Sequence, residues 1–337
     1  MRVSKQKLLK AIQRSLDEEI GDLTVEKLGG DASDRNYYRL HLRGGTTNIP
    51  KTLVVMELQA PFAGQELPFI NIRNTLEKSG LGVPRLYGTE SKEGLVFLED
   101  LGDEILQGKI ERQKPESIEA LYHEALDMVV TMQCDLDLST DCVAFKIAFT
   151  VEKFFWELDF FRTHYIEGLL GKKIDPDDRE AMDRFFLWLS SLMEDEDKVF
   201  THRDYHSRNL IYHDGRLKIL DFQDARLGLA QYDLASLLQD SYVVLRDELR
   251  ESLLDYYLSR MEEKTSEKID RPPFRYVFDM TSVQRNLKAI GTFAYQAVER
   301  NNPGYVKYIP ATLTYVRGNL GKYDELTPYR PILTKYL

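Results

Sequence analysis

The stretch that decides the fold lies in the second half of the chain, where residues 199–222 read VFTHRDYHSRNLIYHDGRLKILDF. Asp214-Gly215 stands between two apolar runs, and this dipeptide is a strong signal for a two-residue hairpin turn. Such a turn pairs Asn209 with Leu220 and so predicts that Asn209 and Asp221 meet at the open end of the hairpin. Because Asp204 lies five residues before Asn209, the region is predicted to combine two carboxylates with an amide oxygen.

Oxygen ligands of this kind suit Mg²⁺, a hard ion that keeps several waters and is often completed by nucleotide phosphates. A free carboxylate beside such an ion can accept the proton of a hydroxyl group while that hydroxyl attacks a phosphoryl group. The pattern therefore predicts a phosphoryl-transfer site.

The order of these residues resembles a known superfamily. His202-Arg203-Asp204, then Asn209, then Asp221-Phe222 are similar to the catalytic loop and metal-binding motif of protein kinases and of their small-molecule relatives, the aminoglycoside and choline phosphotransferases. The resemblance implies His202, Arg203 and Asp204 as the catalytic residues, with Asp204 as the base. It also implies ATP as the phosphoryl donor and Asn209 and Asp221 as ligands of Mg²⁺.

Within the superfamily, the sequence most resembles one bacterial branch, the cell-wall amino-sugar kinases. The segments that carry this resemblance are Gly30-Asp31-Ala32-Ser33, Tyr37-Tyr38-Arg39-Leu40, Leu98-Glu99-Asp100-Leu101-Gly102, the run from His202 to Leu210, Asp221-Phe222-Gln223-Asp224-Ala225 and Tyr232-Asp233-Leu234-Ala235-Ser236-Leu237-Leu238. The resemblance implies a small-molecule hydroxyl acceptor, for which the anomeric hydroxyl of N-acetylmuramate or N-acetylglucosamine is the best candidate.

The pattern along the chain predicts two lobes. Alternating apolar residues indicate strands at 25–29, 37–42, 52–58, 83–87 and 95–98, with a helix from Phe69 to Leu76. Helical spacing dominates from about Ile118 onward. The expected fold is therefore an α+β, bilobal protein-kinase-like fold, with a small antiparallel-sheet N-lobe carrying one main helix (1–100) and a larger, mostly helical C-lobe (101–337).

Nucleotide contacts are expected in the N-lobe. The loop that contains Gly30 and Ser33 would cover phosphates, although by itself it could be only a hairpin connection. Backbone groups of Glu99 and Leu101 would meet adenine at the junction of the lobes.

The third strand lacks the lysine that kinases place there, and Met56 stands near its expected position. We hypothesise that Arg39 or Lys51 supplies the positive charge instead.

Composition excludes several other classes of protein. The 337-residue chain has a formal net charge of −10, so it repels polyanions and nucleic acid is an unexpected partner. We expect no membrane association, because no apolar run approaches the roughly 20 residues that a transmembrane helix needs. Cys134 and Cys142 are expected to be free thiols in a cytoplasmic protein, and no stable protein partner is implied.

Two alternatives remain open from the sequence. An acidic surface would suit the cationic acceptors of an aminoglycoside or choline-type kinase. The missing lysine would also fit a catalytically silent nucleotide-binding regulatory module, although a silent site has no need to retain Asp204, Asn209 and Asp221 together. Protein substrates are disfavoured, because the segment from Asp221 to Asp233 is too short for a peptide-binding platform.

Some of the polar and aromatic residues could have a structural role instead of a functional one. Asp233 could be only a helix N-cap. His206 and Arg208 could touch phosphate or substrate, or they could be solvated or capping groups. The aromatic residues at helical spacing between Phe154 and Tyr165 are expected to form core, with one of them available to stack on a sugar.

Overall fold

A five-stranded antiparallel sheet forms the centre of the first of two units in the chain. The computed structural model describes residues 3–29, 35–44, 50–64 and 67–337. The first unit comprises Met1–Glu104 and Ile211–Gln223, and the second comprises Ile105–Leu210 and Asp224–Leu337. The sheet has the order β1-β2-β3-β5-β4, with β1 Asp22–Lys27, β2 Asn36–Arg43, β3 Thr52–Glu57, β4 Leu86–Glu90 and β5 Leu95–Glu99.

Helix α1 (Lys5–Leu16) covers one face of this sheet. Ser4 caps the helix by accepting a hydrogen bond from the N–H of Lys7, and Leu8 and Ile12 are fully buried. They pack in one apolar cluster with Leu40 and Leu53, which lie opposite each other on β2 and β3. The basic residues of α1 remain on its exposed side, which is the arrangement expected of an amphipathic helix. Helix α2 (Pro68–Lys78) lies between β3 and β4 in sequence.

A short hairpin from far along the chain completes the first unit. Strands β7 (Leu210–His213) and β8 (Arg216–Ile219) pair with each other around Asp214-Gly215. Both turn residues have positive φ, 49° at Asp214 and 84° at Gly215, as a type I′ turn requires. The N–H of Ile219 donates to the carbonyl of Gly82 at 2.7 Å, which attaches the hairpin to the rest of the unit.

The second unit is mostly helical. Its helices are α3 Leu106–Ile110, α4 Pro115–Cys134, α5 Val151–Phe161, α6 Pro176–Glu194, α7 Gln231–Leu238, α8 Asp247–Thr265, α9 Arg271–Val298, α10 Ile309–Lys322 and α11 Arg330–Tyr336. Two short strands, β6 Val199–Thr201 and β9 Arg226–Gly228, pair antiparallel.

Helix α9 is the central element of this unit, and its middle is buried almost all round. It packs closely against the end of α5 at Gly291, where an added Cβ would lie 2.7 Å from the Cα of Phe161. Immediately after Phe161 the helix widens into π-helical turns over Arg162–Leu169. In the described part of the chain, no helix is both long and apolar enough to cross a membrane.

The structure confirms the antiparallel sheet, the hairpin at Asp214-Gly215 and the helical second part. The position predicted for the fourth strand was wrong by three residues, since the strand begins at Leu86. Pro84 has no N–H to donate to a neighbouring strand. The carbonyl of Gly82 accepts from the N–H of Ile219, and the carbonyl of Pro84 accepts from the side chain of Arg73. Strand β9 was missed, because three residues are too few to show an alternation. The division at residue 100 stays a prediction.

Both cysteines are free, as expected. The aromatic residues between Phe154 and Tyr165 are mainly core, as predicted: Phe154, Phe161 and Tyr165 are buried. Trp156 is the exposed exception, with 53% of its surface accessible.

Candidate active site

The loop that follows β6 carries the predicted base. Asp233 of α7 binds the backbone of this loop. Asp233 is 1% exposed, and its two carboxylate oxygens accept the backbone N–H groups of His202 at 2.7 Å and Arg203 at 3.0 Å. Burial raises the pKa of Asp233 to about 6, although His202 and these two hydrogen bonds oppose the rise. Arg203 has φ of 83°, a conformation that is costly for a residue with a side chain. Asp233 thus stabilises a strained backbone conformation at Arg203, so its role is not limited to capping α7.

His202 and Tyr205 lie inside the protein and orient the loop. His202 is fully buried, and its Nδ1 lies 3.3 Å from the N–H of Asp204, which donates to it. The hydroxyl of Tyr205 donates to the carbonyl of Ala125 at 2.8 Å. Between these two buried residues, the side chain of Asp204 is about one third exposed.

Asp204 forms an ion pair with Lys288 of α9, at 2.9 Å between Oδ1 and Nζ. Burial alone would raise the pKa of Asp204, but Lys288 and Arg203 outweigh burial and hold it well below its ordinary value. The carboxylate is therefore ionised at neutral pH, which is the state that a proton acceptor needs.

Asn209 presents an amide oxygen. Its side-chain nitrogen donates to the carbonyl of Asp204 at 2.8 Å, and this bond leaves Oδ1 as the group that can bind a ligand. The backbone is held as well, because the N–H of Asn209 donates to the carbonyl of His206.

His206 and Arg208 are packed into the second unit. Burial lowers the pKa of His206 to about 3, with Arg285 adding to the effect, so this imidazole is neutral. Arg208 donates to Gln107 at 2.9 Å and to the hydroxyl of Tyr308 at 2.6 Å, and its guanidinium lies 3.9 Å from the ring centroid of Tyr242. These contacts hold the guanidinium of Arg208 against side chains of its own unit, so Arg208 is not the solvated group that was one of its expected roles.

Asp221 lies in the first unit, two residues after β8. Its carboxylate is exposed, and one oxygen accepts from Gln223 at 2.7 Å. The backbone has φ of 59°, and the next residue, Phe222, stacks on Phe69 at 4.9 Å between ring centroids. Phe222 therefore anchors the segment while the carboxylate of Asp221 stays accessible.

Several of the predicted nucleotide-binding residues of the first unit form hydrogen bonds or ion pairs with other residues of that unit. The side chain of Glu99 pairs with Lys218 at 2.8 Å, and the carbonyl of Leu101 lies 3.1 Å from Nδ1 of His213. Arg39 is only 11% exposed and binds both Asp100 and Asp103. Gly30 and Ser33 lie outside the described residues.

Lys288 and Glu157 were not predicted from the sequence, although both charged side chains contact the loop that carries the predicted base. Glu157 is 1% exposed, and its Oε1 lies 3.4 Å from Nη2 of Arg203. A carboxylate inside the apolar run of α5 was a signal that something unusual is buried there. No sequence signal could have paired Lys288 with Asp204, because 84 residues separate them.

Within the described ranges, no group of three or more His, Cys, Asp or Glu residues is arranged to hold a metal ion. The predicted ligand set of one amide and one carboxylate is of a different kind, since phosphate oxygens and water would complete it.

Comparisons with known proteins give one consistent result. The chain is 29% identical over 309 residues to an N-acetylmuramate/N-acetylglucosamine kinase of Pseudomonas aeruginosa, covering 90% of this chain and 86% of the relative. It is 28% identical over 334 residues to a protein of the same name from Neisseria meningitidis, covering 98% of this chain and 95% of the relative.

Two solved structures share the fold. An ADP-bound aminoglycoside phosphotransferase has a TM-score of 0.59 at 14% identity, covering 94% of this chain and 98% of its own. A choline kinase from Streptococcus pneumoniae has a TM-score of 0.59 at 18% identity, covering 93% and 98%. A family model described as "Phosphotransferase enzyme family" matches residues 24–268, more than two thirds of the chain. With this match beside the shared protein-kinase-like fold, the chain belongs to the phosphotransferase enzyme family.

Proposed function

We propose that this protein transfers the γ-phosphoryl group of ATP to the anomeric hydroxyl of an N-acetylated hexosamine, N-acetylmuramate or N-acetylglucosamine. The relatives that bear this name are similar along nearly the whole chain, which supports the choice of acceptor. The observation that carries the chemistry is the partly exposed carboxylate of Asp204, paired with Lys288 on a loop with a fixed backbone.

Asp204 is the proposed general base. It would accept the proton of the acceptor hydroxyl as the hydroxyl oxygen attacks the γ-phosphorus, and the bond to the β-γ bridging oxygen would break as ADP leaves. His202 and Arg203, which were predicted as catalytic residues, are proposed to act by holding the loop. This role is supported by the hydrogen bonds from their backbone to Asp233 and by the contact of His202 with the N–H of Asp204.

Asn209 and Asp221 are the proposed ligands of Mg²⁺. The residues fit a hard cation, because Asp221 has an exposed carboxylate and the amide oxygen of Asn209 accepts no hydrogen bond from any residue that the structure describes. When bound, magnesium would neutralise charge on the phosphate oxygens and hold them in line for transfer.

For the nucleotide we propose backbone groups of Glu99 and Leu101 as contacts of adenine, and the loop with Gly30 and Ser33 as cover for the phosphates. The side chain of Glu99 is already paired with Lys218, so its backbone is the part left for a ligand. Of the two cations suggested to replace the missing lysine, Lys51 is favoured. It is exposed, whereas Arg39 is neutralised by two aspartates.

A cationic acceptor is disfavoured by the surroundings of Asp204. Lys288 contacts the base directly, and Arg203 lies beside it, so an aminoglycoside or choline would meet like charge. We also propose a cytoplasmic location, which the two free thiols support.

The test is ADP release by the purified protein with ATP and Mg²⁺, measured separately with N-acetylmuramate, N-acetylglucosamine, choline and an aminoglycoside. We expect turnover with the amino sugars alone and its loss on chelation of the metal. Turnover of choline without any of the sugars would replace this proposal by the choline-kinase alternative. Binding of ATP with no turnover of any acceptor would favour the silent module.

A further inference from the structure

Four cationic side chains of the second unit lie around two carboxylates, one of which is the proposed base. They are Lys153 on α5, Arg203 in the loop after β6, Arg226 at the start of β9 and Lys288 on α9, and we call them the cation cluster. The whole protein is acidic, with a net charge of −10, so a local excess of positive charge calls for an explanation.

The two carboxylates do not neutralise the cluster. The buried Glu157 faces two of its members with a single oxygen, since Oε1 lies 3.4 Å from Arg203 and 3.7 Å from Lys153. Its other oxygen accepts from Gln284 at 3.0 Å. The second carboxylate, Asp204, pairs with Lys288.

Arg226 is the member without an ion pair. Among the residues that the structure describes, no carboxylate lies within 4 Å of its guanidinium, and its hydrogen bond runs from Nε to the carbonyl of Asp224 at 3.3 Å. The terminal nitrogens of the guanidinium are thus left for a ligand, and they form the planar fork that matches a carboxylate.

An aromatic layer holds these cations in place. The guanidinium carbon of Arg226 lies 5.0 Å from the ring centroid of Phe149, and Nζ of Lys288 lies 6.0 Å from that of Tyr232. The two rings pack with centroids 4.7 Å apart. Arg226 and Lys288 therefore each lie against one of two rings that pack on each other.

The cations are close enough to affect one another. Burial lowers the pKa of Arg226 and Arg203 lowers it further, while Glu157 and Asp224 act in the opposite direction without cancelling the change. Burial also lowers the pKa of Lys153; Glu157 opposes this change, and the other three cations add to it. An anion bound among these side chains would relieve the repulsion between them.

The anion could be a phosphate of the nucleotide or a carboxylate of the acceptor, since both match a guanidinium. N-acetylmuramate carries a carboxylate, in a lactyl ether on C3, whereas N-acetylglucosamine has only a hydroxyl group there. Position favours the acceptor as the source of the anion, because Lys288 of the cluster contacts the base that would face the acceptor hydroxyl.

On the basis of the proposed function, we propose that Arg226, assisted by Lys153, binds the carboxylate of the acceptor and so makes the enzyme prefer N-acetylmuramate to N-acetylglucosamine. Arg226 is then a specificity-determining residue, and its loss should affect one acceptor and spare the other.

The test compares steady-state kinetics of the wild type and Arg226→Gln, with each sugar varied at saturating ATP and with ATP varied at saturating sugar. We expect KM for N-acetylmuramate to rise about tenfold or more, the loss expected for a charge-assisted hydrogen bond. The KM values for N-acetylglucosamine and for ATP should change less than twofold. Arg226→Lys should recover part of the preference, because it keeps the charge and loses the fork.

Arg184→Gln is the matched control. Arg184 lies on α6 in the same unit and forms an exposed ion pair with Glu180, so its loss should leave both acceptors unchanged. Thermal melting checks that each variant is folded. Should Arg226→Gln fail to fold, Lys153→Gln gives the same test from a different element, with the same selective loss expected.

Equal losses for both sugars, or no loss for either, would overturn this inference and leave the proposed function intact. A rise in KM for ATP without a change in acceptor preference would assign the cluster to phosphate and also overturn it. If the wild type turned over neither sugar, the proposed function itself would fail, and this inference would fail with it.

Discussion

Asp233 shows how one residue can determine the shape of the loop that carries the proposed base. Both of its oxygens accept backbone N–H groups, and one of these belongs to Arg203, whose φ is 83°. A non-glycine residue stays in that region only when its surroundings hold it there. The strain at Arg203 and the buried carboxylate of Asp233 are therefore two parts of one arrangement.

Asp233→Asn should weaken this arrangement, because an amide has only one oxygen and its NH₂ group would face the second N–H. We expect the free energy of unfolding to fall by about 1–3 kcal/mol, the usual cost of a buried donor left unpaired. The catalytic rate should fall at least tenfold. Urea denaturation and kcat measure the two effects, and wild-type values for both would show that the loop holds its shape without Asp233.

Asp204→Asn tests the base directly. The rate of ADP release at saturating substrates should fall by about 10²- to 10⁴-fold, the usual contribution of a general base, while stabilisation by nucleotide persists. Asp214→Asn is the matched control, because Asp214 is 85% exposed in the hairpin turn and asparagine tolerates its positive φ. Activity of Asp204→Asn within threefold of the wild type would remove Asp204 from the chemistry.

At the scale of elements, the parts that sequence predicted well are those with strong local signals. The turn at Asp214-Gly215 needs two residues that accept positive φ, and the chain supplies them there. Alternating apolar residues likewise marked β2 and β3. The start of β4 was misplaced because it depends on which groups donate to the carbonyls of Gly82 and Pro84, and one of these donors, Ile219, is distant in sequence.

The contact between α5 and α9 gives a prediction at this scale. Gly291→Ala would place a Cβ 2.7 Å from the backbone of Phe161, which cannot move without shifting α5. We expect a loss of about 1–3 kcal/mol in the free energy of unfolding, as for other overpacked sites. The measurement is urea denaturation.

Gly318→Ala provides the control for this prediction. Gly318 lies inside α10, and no atom lies within 4 Å of an added Cβ. Alanine should therefore be neutral or stabilising there by up to about 1 kcal/mol, because it favours the helix. Equal effects at the two glycines would mean that the close approach of α5 and α9 does not depend on Gly291.

At the scale of the whole molecule, the first unit is assembled from two distant parts of the chain. Residues 211–223 belong with residues 1–104, and Lys218, which is 5% exposed, pairs with Glu99 across this separation. Sequence order gives no hint of such a pairing, so the sequence suggested one continuous N-lobe. The proposed catalytic motif could be recognised as a candidate because its members lie within 20 residues, whereas Lys288 and Arg226 come from separate elements.

This long-range pair can be tested by a double-mutant cycle. Lys218→Met should lower the free energy of unfolding by about 1–3 kcal/mol, because it leaves the half-buried carboxylate of Glu99 without its cation. Adding Glu99→Gln should recover part of that loss, because the unpaired charge is then gone. Strictly additive losses would show that the two side chains do not stabilise this unit as a pair.

The most direct measurement of the central claim is NMR of the product made from N-acetylmuramate, ATP and Mg²⁺. Our account predicts a sugar phosphate whose phosphorus is coupled to the proton on C1, formed by the wild type and not by Asp204→Asn. Phosphorus coupled to any other position of the sugar, or no phosphorylated sugar at all from the folded wild-type protein, would contradict it.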